Sequence, residues 1–323
     1  MRIIDITEPG GPDGLAARHA PDPTAELDEV VIAVAAAGVN NADLLQRRGH
    51  YASPPGAPPW PGLEVSGTVL ETGPGTAWRP GERVVALLDG GGYAERVAVR
   101  SGQVVAAPDG VDLVDAAALP EAACTVWSTL ASAGLRTGEW LLVHGGSGGV
   151  GSLAVQIASA IGCRVLATAA GPARALRCAE LGADAVVDHL AEDFVARARE
   201  ATDGRGVDVV LDVVGAAYLA RNLDVLATGG RLAVIGLQKG RRGELDLGVR
   251  LAKRATVLGT TLRSRPPAEK AAIVAAVREH VWPLVADGRV RPVIHDRLPL
   301  ADAARAHRML ESGEVFGKLL LIP

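Results

Sequence analysis

Seven residues in the middle of the chain, Gly145-Gly-Ser-Gly-Gly-Val-Gly151, carry the spacing G-x-G-x-x-G at Gly146, Gly148 and Gly151. Such spacing suits a dinucleotide. The first glycine permits a tight turn and the second lets the main chain come close to a pyrophosphate. The third lets the next helix pack on its strand, with the helix N-terminus facing the phosphates. The pattern alone is weak, and its context strengthens it. Trp140–His144 is a short apolar run of strand type, and Val150, Leu153, Ala154, Ile157, Ala158 and Ile161 follow at helical spacing. An NAD site carries an acid about twenty residues past the glycines to hold the ribose 2′-hydroxyl. Here the corresponding stretch, Thr168-Ala-Ala-Gly-Pro-Ala-Arg174, has no Asp or Glu and ends in an arginine suited to a 2′-phosphate. NADPH is the expected cofactor.

Other chemistries find little support. Cys124, Cys163 and Cys178 form no C-x-x-C pair, and the seven histidines show neither H-x-H nor H-E-x-x-H spacing. No metal site is expected. A net charge of −4 offers no basic footprint for nucleic acid. No apolar run reaches membrane-spanning length, and the opening MRIIDITEPG lacks a signal-peptide layout, so a cytoplasmic protein is expected.

The elements that must position the glycine turn alternate in type. Arg164–Ala169, Ala185–Asp188, Val207–Val214, Arg231–Ile235 and Thr256–Leu258 are predicted strands, with helices over Pro172–Leu181 and Ala216–Ala227. Continuous apolar strands separated by helices imply a doubly wound parallel sheet. The flanking segments read differently. Glu29–Ala36, Gly62–Thr72, Gly81–Leu88 and Tyr93–Val99 are short strands between glycine and proline turns, as in a partly closed β-barrel. A proline-rich loop runs from Tyr51 to Pro61, and a helix from Glu121 to Ala133 leads into the central region. After it come a helix over Pro267–Ala286 interrupted near its end by Pro283, short strands at Val293-Ile294 and Arg297-Leu298, a helix over Asp302–Glu311 and a last strand, Gly317–Ile322. The expected division is residues 1–119, 120–262 and 263–323, the last returning to the first.

The stretches AAGVNNADLLQRRGHY, PPGAPPWPGLEVSGTV, LPEAACTVWSTL, HGGSGGVGSLAVQIA and RMLESGEVFGKLLL resemble the medium-chain dehydrogenase/reductase superfamily. Within it they are most similar to the zinc-free quinone oxidoreductases, zeta-crystallin and the tumour-suppressor-inducible subgroup above all. The resemblance implies an α/β protein, a GroES-like β-barrel with an inserted Rossmann domain, and NADPH-dependent reduction of a quinone held between the two. Reduction of enone or enoyl-thioester double bonds is the alternative activity, and a non-catalytic NADPH-binding protein of crystallin type is the alternative class. Zinc enzymes of the superfamily carry a cysteine at the position of Asn40 and Gly-His-Glu where this chain has Gly62-Leu63-Glu64, so the metal should be gone.

Residue roles follow from the same resemblance. Asn40, Tyr51 and Thr125 become the catalytic set, with Asn40 and Thr125 also touching the nicotinamide side and Tyr51 contacting the quinone. Gly148, Gly149 and Val150, with Gly146 and Gly151, hold the pyrophosphate through the backbone. Arg174 meets the 2′-phosphate and His189 the adenosine phosphate. Ala169, Val214 and Gly236 are further cofactor contacts, Arg263 and Ser264 close over the nicotinamide, and Lys318 approaches the cofactor. A homodimer is the family default.

Overall fold

The computed structural model describes residues 1–323. The chain divides into two compact units, Met1–Cys124 with Leu262–Pro323, and Thr125–Thr261. In chain order the first unit begins with strands β1 (Arg2–Ile6), β2 (Leu15–His19), β3 (Glu29–Gly38), β4 (Glu64–Thr72), β5 (Arg83–Leu87), β6 (Arg96–Arg100) and β7 (Val104–Ala106). Helices α1 (Asn41–Arg47), α2 (Leu113–Ala116) and α3 (Pro120–Ser132) are interspersed, and the unit boundary falls inside α3.

The second unit holds β8 (Trp140–Val143), α4 (Gly149–Ala160), β9 (Arg164–Ala169), α5 (Pro172–Glu180), β10 (Ala185–Asp188), α6 (Phe194–Ala201), β11 (Val207–Asp212), α7 (Leu219–Val225), β12 (Leu226–Val234), α8 (Leu247–Lys253) and β13 (Thr256–Gly259). Its six strands are parallel, in the order β10-β9-β8-β11-β12-β13. That is the doubly wound dinucleotide-binding order, with β8 at the switch point. β11 is buried at every residue, which is why its sequence is almost wholly apolar instead of alternating.

The chain then returns to the first unit through α9 (Pro267–His280), α10 (Trp282–Ala286), β14 (Ile294–Pro299), α11 (Ala303–Glu311) and β15 (Lys318–Ile322). β15 pairs with β3, completing a seven-stranded sheet in the order β14-β15-β3-β4-β5-β7, with β6 also on β3. Val30, Ile32, Val65, Val84, Leu319 and Leu321 build its core. No helix is long and apolar enough to cross a membrane.

Several elements differ from the sequence reading. The helix expected over Ala216–Ala227 is a 3₁₀ turn followed by α7, and β12 starts already at Leu226. Thr228-Gly-Gly230 looks like a loop signal, but the strand runs through it, with Leu226 paired to Val207. The helix over Pro267–Ala286 is interrupted near its end, but at Val281, and Pro283 lies in the first turn of the new helix, where it needs no amide. Val293-Ile294 and Arg297-Leu298 do not form two strands: Ile294 and Arg297-Leu298 belong to one, β14. The β1–β2 hairpin, α6 and α8 carry no strong periodic signal and are not anticipated by the sequence.

Candidate active site

In the second unit the glycine turn is built from main chain. Gly145 has φ +70°, so the left-handed residue that makes the turn is Gly145 and not Gly146. Gly146 is required for packing instead, since a Cβ there would lie 2.9 Å from Ala167 Cβ and 3.2 Å from Cys178 Sγ. At Gly151 a Cβ would sit 2.0 Å from Gly145 O, so the helix packs on the turn only with glycine there. Gly148 N donates to Gly145 O at 3.0 Å, which removes this amide from the set expected for pyrophosphate. The amides of Gly149, Val150 and Gly151, in the first turn of α4, have no acceptor. Unpaired donors at a helix N-terminus are an anion site, and a dinucleotide pyrophosphate fits it.

Side chains that the sequence reading missed support the turn from behind. Gly145 N donates to Thr168 Oγ1 at 3.2 Å and Gly146 N to Thr168 O at 2.8 Å. His144, buried between Phe194 and Tyr218, bonds Asn222 Oδ1 at 2.8 Å and faces Thr168 Oγ1 at 3.3 Å. Burial pushes its imidazole down to about 4, so it is neutral. Its position just before the glycines was its only signal.

At the carboxyl end of β9, Arg174 lies half-buried in the first turn of α5. Ala169 O accepts from His189 N at 3.0 Å, which puts these two residues side by side. Asp188, at the end of β10, was not singled out by sequence; its Oδ1 accepts from Gly171 N at 2.8 Å and Leu190 N at 3.1 Å. These backbone bonds hold its carboxyl below the usual range. Val214 and Gly236 follow β11 and β12, and their amides donate to Asp212. Thr125 is half-buried in the second unit.

The first unit gathers side chains from distant segments. Asn40, at the head of α1, donates from Nδ2 to Glu64 Oε1 at 2.9 Å and accepts from Lys318 Nζ at 2.6 Å. Lys318 also pairs with Glu64 Oε1, and Glu64 Oε2 accepts from Glu121 N at 2.9 Å. Glu64 is 0% and Lys318 4% exposed, so the lysine expected to approach the cofactor is buried and paired with a carboxylate. These residues do not fit zinc: Leu63 is buried and apolar, the Asn40 oxygen takes the ammonium, and the Glu64 carboxylate has its cation already.

Asp43 in α1 holds the start of that helix in place. It accepts from Asn40 N at 2.8 Å and Gly62 N at 3.0 Å, and from Tyr93 Oη at 3.2 Å. Its carboxyl is fully buried, and burial lifts it to about 6 against the lowering effect of those amides. Behind Tyr93 lies His307, whose Nδ1 faces Arg47 Nη1 at 3.3 Å and Nε2 faces Tyr93 Oη at 3.1 Å. Arginine only donates, so His307 must carry its proton on Nε2 and give it to Tyr93. Burial and Arg47 hold this imidazole down at about 3. None of these partners was legible, because Asp43 reads as an ordinary helix-start acid.

Tyr51 lies under the Arg263 guanidinium, which stands 5.2 Å from its ring centroid. Burial and the nearby Glu121 charge push its phenol up. Arg263 was expected over the nicotinamide, but it is 4% exposed and its donors are committed inside the first unit: Nε to Asp89 O at 2.7 Å, Nη2 to Ser53 Oγ at 2.9 Å and Nη1 to Tyr51 O at 3.4 Å. Its role here is to fasten the proline-rich loop. Gln46 fastens the same loop, donating to Ser53 Oγ at 3.1 Å and Pro59 O at 2.7 Å. Ser264 is exposed and lines a hollow of about 410 Å³ with Pro54, Pro58, Asp89 and Lys270; neither Tyr51 nor Asn40 lines it.

A doubly wound unit with free helix amides, joined in one chain to a unit whose buried ammonium serves a carboxylate, defines a dinucleotide-dependent oxidoreductase. Comparison with known proteins agrees. Residues 26–109 match the alcohol dehydrogenase GroES-like domain and residues 149–278 the zinc-binding dehydrogenase family. The rat (Rattus norvegicus) quinone oxidoreductase is 33% identical, over 100% of this chain and 98% of its own. A phenolphthiocerol/phthiocerol polyketide synthase component of Mycobacterium tuberculosis is 33% identical over 98% of this chain and 14% of its own. Among solved structures, an NAD-dependent alcohol dehydrogenase superposes with TM-score 0.89 at 31% identity, covering 100% of both chains. The Escherichia coli quinone oxidoreductase complexed with NADPH superposes with TM-score 0.90 at 29% identity, also covering 100% of both. The chain belongs to the quinone oxidoreductase family of the medium-chain dehydrogenase/reductase superfamily, and it is an oxidoreductase that uses NAD or NADP.

Proposed function

We propose that this protein reduces quinones with NADPH and without a metal. The observation that carries the reading is the Lys318–Glu64–Asn40 cluster, in which a side-chain ammonium satisfies the carboxylate. A quinone is already electron-poor and needs no Lewis acid, only alignment and exclusion of water. When bound, the dinucleotide supplies a hydride. The amides of Gly149, Val150 and Gly151 would hold its pyrophosphate, and Arg174 its 2′-phosphate. The Oδ1 of Asp188, at the end of β10, is occupied by two backbone amides. Tyr51, Asn40 and Thr125 are assigned to the acceptor and the nicotinamide.

A second reading, reduction of an enoyl-thioester double bond, is favoured by the similarity to a segment of a polyketide synthase. Oxidation of NADPH in the presence of 1,2-naphthoquinone or 9,10-phenanthrenequinone, set against a crotonyl thioester, separates the two. Quinone turnover with NADPH is expected, and turnover of the thioester alone would replace the first reading by the second. Arg174→Ala should raise KM for NADPH about tenfold, the equivalent of one lost charge-assisted contact of about 1.4 kcal/mol, and leave NADH unchanged. Equal turnover with both dinucleotides in the wild type would end the NADPH assignment.

The protein is further proposed to form a homodimer through the edge of the parallel sheet. β13 is an edge strand, and Val257 on it and Leu247 and Leu251 on α8 are exposed. Such an edge is a pairing template. Light scattering on Val257→Lys, expected to give a monomer, tests it.

A further inference from the structure

We propose that Glu121 is the catalytic acid of the reduction, its carboxyl donating a proton to the acceptor oxygen as the hydride is delivered. This rests on the reductase reading above. Glu121 occupies the first turn of α3, and its main-chain N–H is tied to Glu64 Oε2 at 2.9 Å, which fixes where the side chain starts. Its carboxyl has no hydrogen bond and no ion pair, whereas the Glu64 carboxylate beside it has both oxygens engaged. The one ammonium in the cluster, Lys318, is spent on Glu64. Glu121 is half-buried, so it is neither dissolved in bulk water nor sealed from a ligand.

Charged and titratable groups face it from every neighbouring element. Glu64 on β4 and Asp43 on α1 disfavour its charge, while Lys318 on β15 and Arg263 favour it. Tyr51 on the proline-rich loop and Cys124, one turn along α3, both feel its charge. Burial and Glu64 prevail, and the carboxyl is pushed up to about 8. It is therefore protonated at neutral pH, where an acid with a value near the working pH is most effective.

The step balances. A bound reduced nicotinamide would supply a hydride, two electrons with one hydrogen nucleus, which would make the quinone a hydroquinone monoanion. The O–H bond of Glu121 breaks, a new O–H bond forms on the anionic oxygen, and neutral hydroquinone leaves. Glu121 is left as a carboxylate at the N-terminus of α3, where the helix dipole favours the charge, and takes a proton back from water.

The test compares wild type with Glu121→Gln and Glu121→Asp. Glutamine keeps the shape, and the side chain makes no bond that the change would break. In the wild type kcat should be level below pH about 8 and decline above it. In Glu121→Gln it should drop by about 10²–10⁴-fold and lose that decline, with NADPH affinity by calorimetry unchanged. Glu121→Asp should recover part of the rate. Difference infrared spectra of the protein without dinucleotide should show a protonated carboxyl at neutral pH that is absent from Glu121→Gln. An unchanged kcat and pH profile in Glu121→Gln, or an ionised Glu121 at neutral pH in the infrared, overturns the proposal. A wild type that binds no dinucleotide in calorimetry overturns the reductase reading, and the proposal with it.

Discussion

The glycine turn of the second unit and the Lys318–Glu64 cluster of the first meet opposite requirements. The turn uses main-chain atoms from one short segment and leaves the amides of Gly149, Val150 and Gly151 without acceptors, so its polarity is aimed outward at an anion. The cluster uses side chains separated by up to 278 positions and satisfies nearly all of them internally. Its one group without a partner is the Glu121 carboxyl. Recognition of a constant group, the pyrophosphate, is thus assigned to backbone, which mutation hardly alters. Handling of charge at the acceptor is assigned to residues that must be assembled.

The most damaging way to break this contrast is to remove the cation from the cluster. Lys318→Met leaves Glu64 buried and unpaired and should cost about 3–5 kcal/mol in denaturant unfolding, with the double variant Lys318→Met/Glu64→Gln recovering most of the loss. A single variant as stable as wild type would mean that the pair is not closed. In the turn, Gly151→Ala drives a Cβ into Gly145 O and should cost about 1–3 kcal/mol together with dinucleotide affinity. Gly148→Ala sharpens the point, because its Cβ would meet only Gly145 O at 3.5 Å. Stability should hold there while affinity, by calorimetry, falls. Thr168→Val removes the acceptor for Gly145 N and should cost about 1 kcal/mol in the same unfolding assay.

A further effect shows only when pH is varied. The fold holds the Glu121 proton up to about 8, against the ordinary 4.5 of an unfolded chain, so ionising it costs stability as pH rises between those values. Glu121→Gln escapes that cost. Its advantage over wild type should be absent below pH 4.5, grow as pH climbs and level off above about 8, as read from denaturant melts across the range.

The same contrast explains what could be read from the chain. β9 and β10 appear with the bounds expected of them, and the parallel sheet follows from uninterrupted apolar runs, because burial on both faces leaves a mark in consecutive residues. The glycine spacing is legible for the same reason, although which glycine turns the chain and which one packs was not: that depends on Ala167 and Cys178, outside the motif. Asn40 and Tyr51 were singled out through resemblance alone. The pairing of Asn40 with Lys318, the fastening of Arg263 to Asp89, Ser53 and Tyr51, and the isolation of Glu121 were illegible, since each depends on segments that only the folded sheet brings together. Lys318 was expected beside the cofactor because its neighbours in sequence do not reveal Glu64.

The insertion of the second unit between α3 and α9 has a consequence for biosynthesis. Residues 125–261 are contiguous and can close on themselves as they leave the ribosome, whereas β3 must wait for β15. Until that late strand arrives, Glu64 is a carboxylate without its counter-ion, and the end of β3 at Ala37-Gly38 lacks its partner. The contiguous unit is therefore expected to fold first, which leaves the barrel unit as the one a chaperone would need to guard.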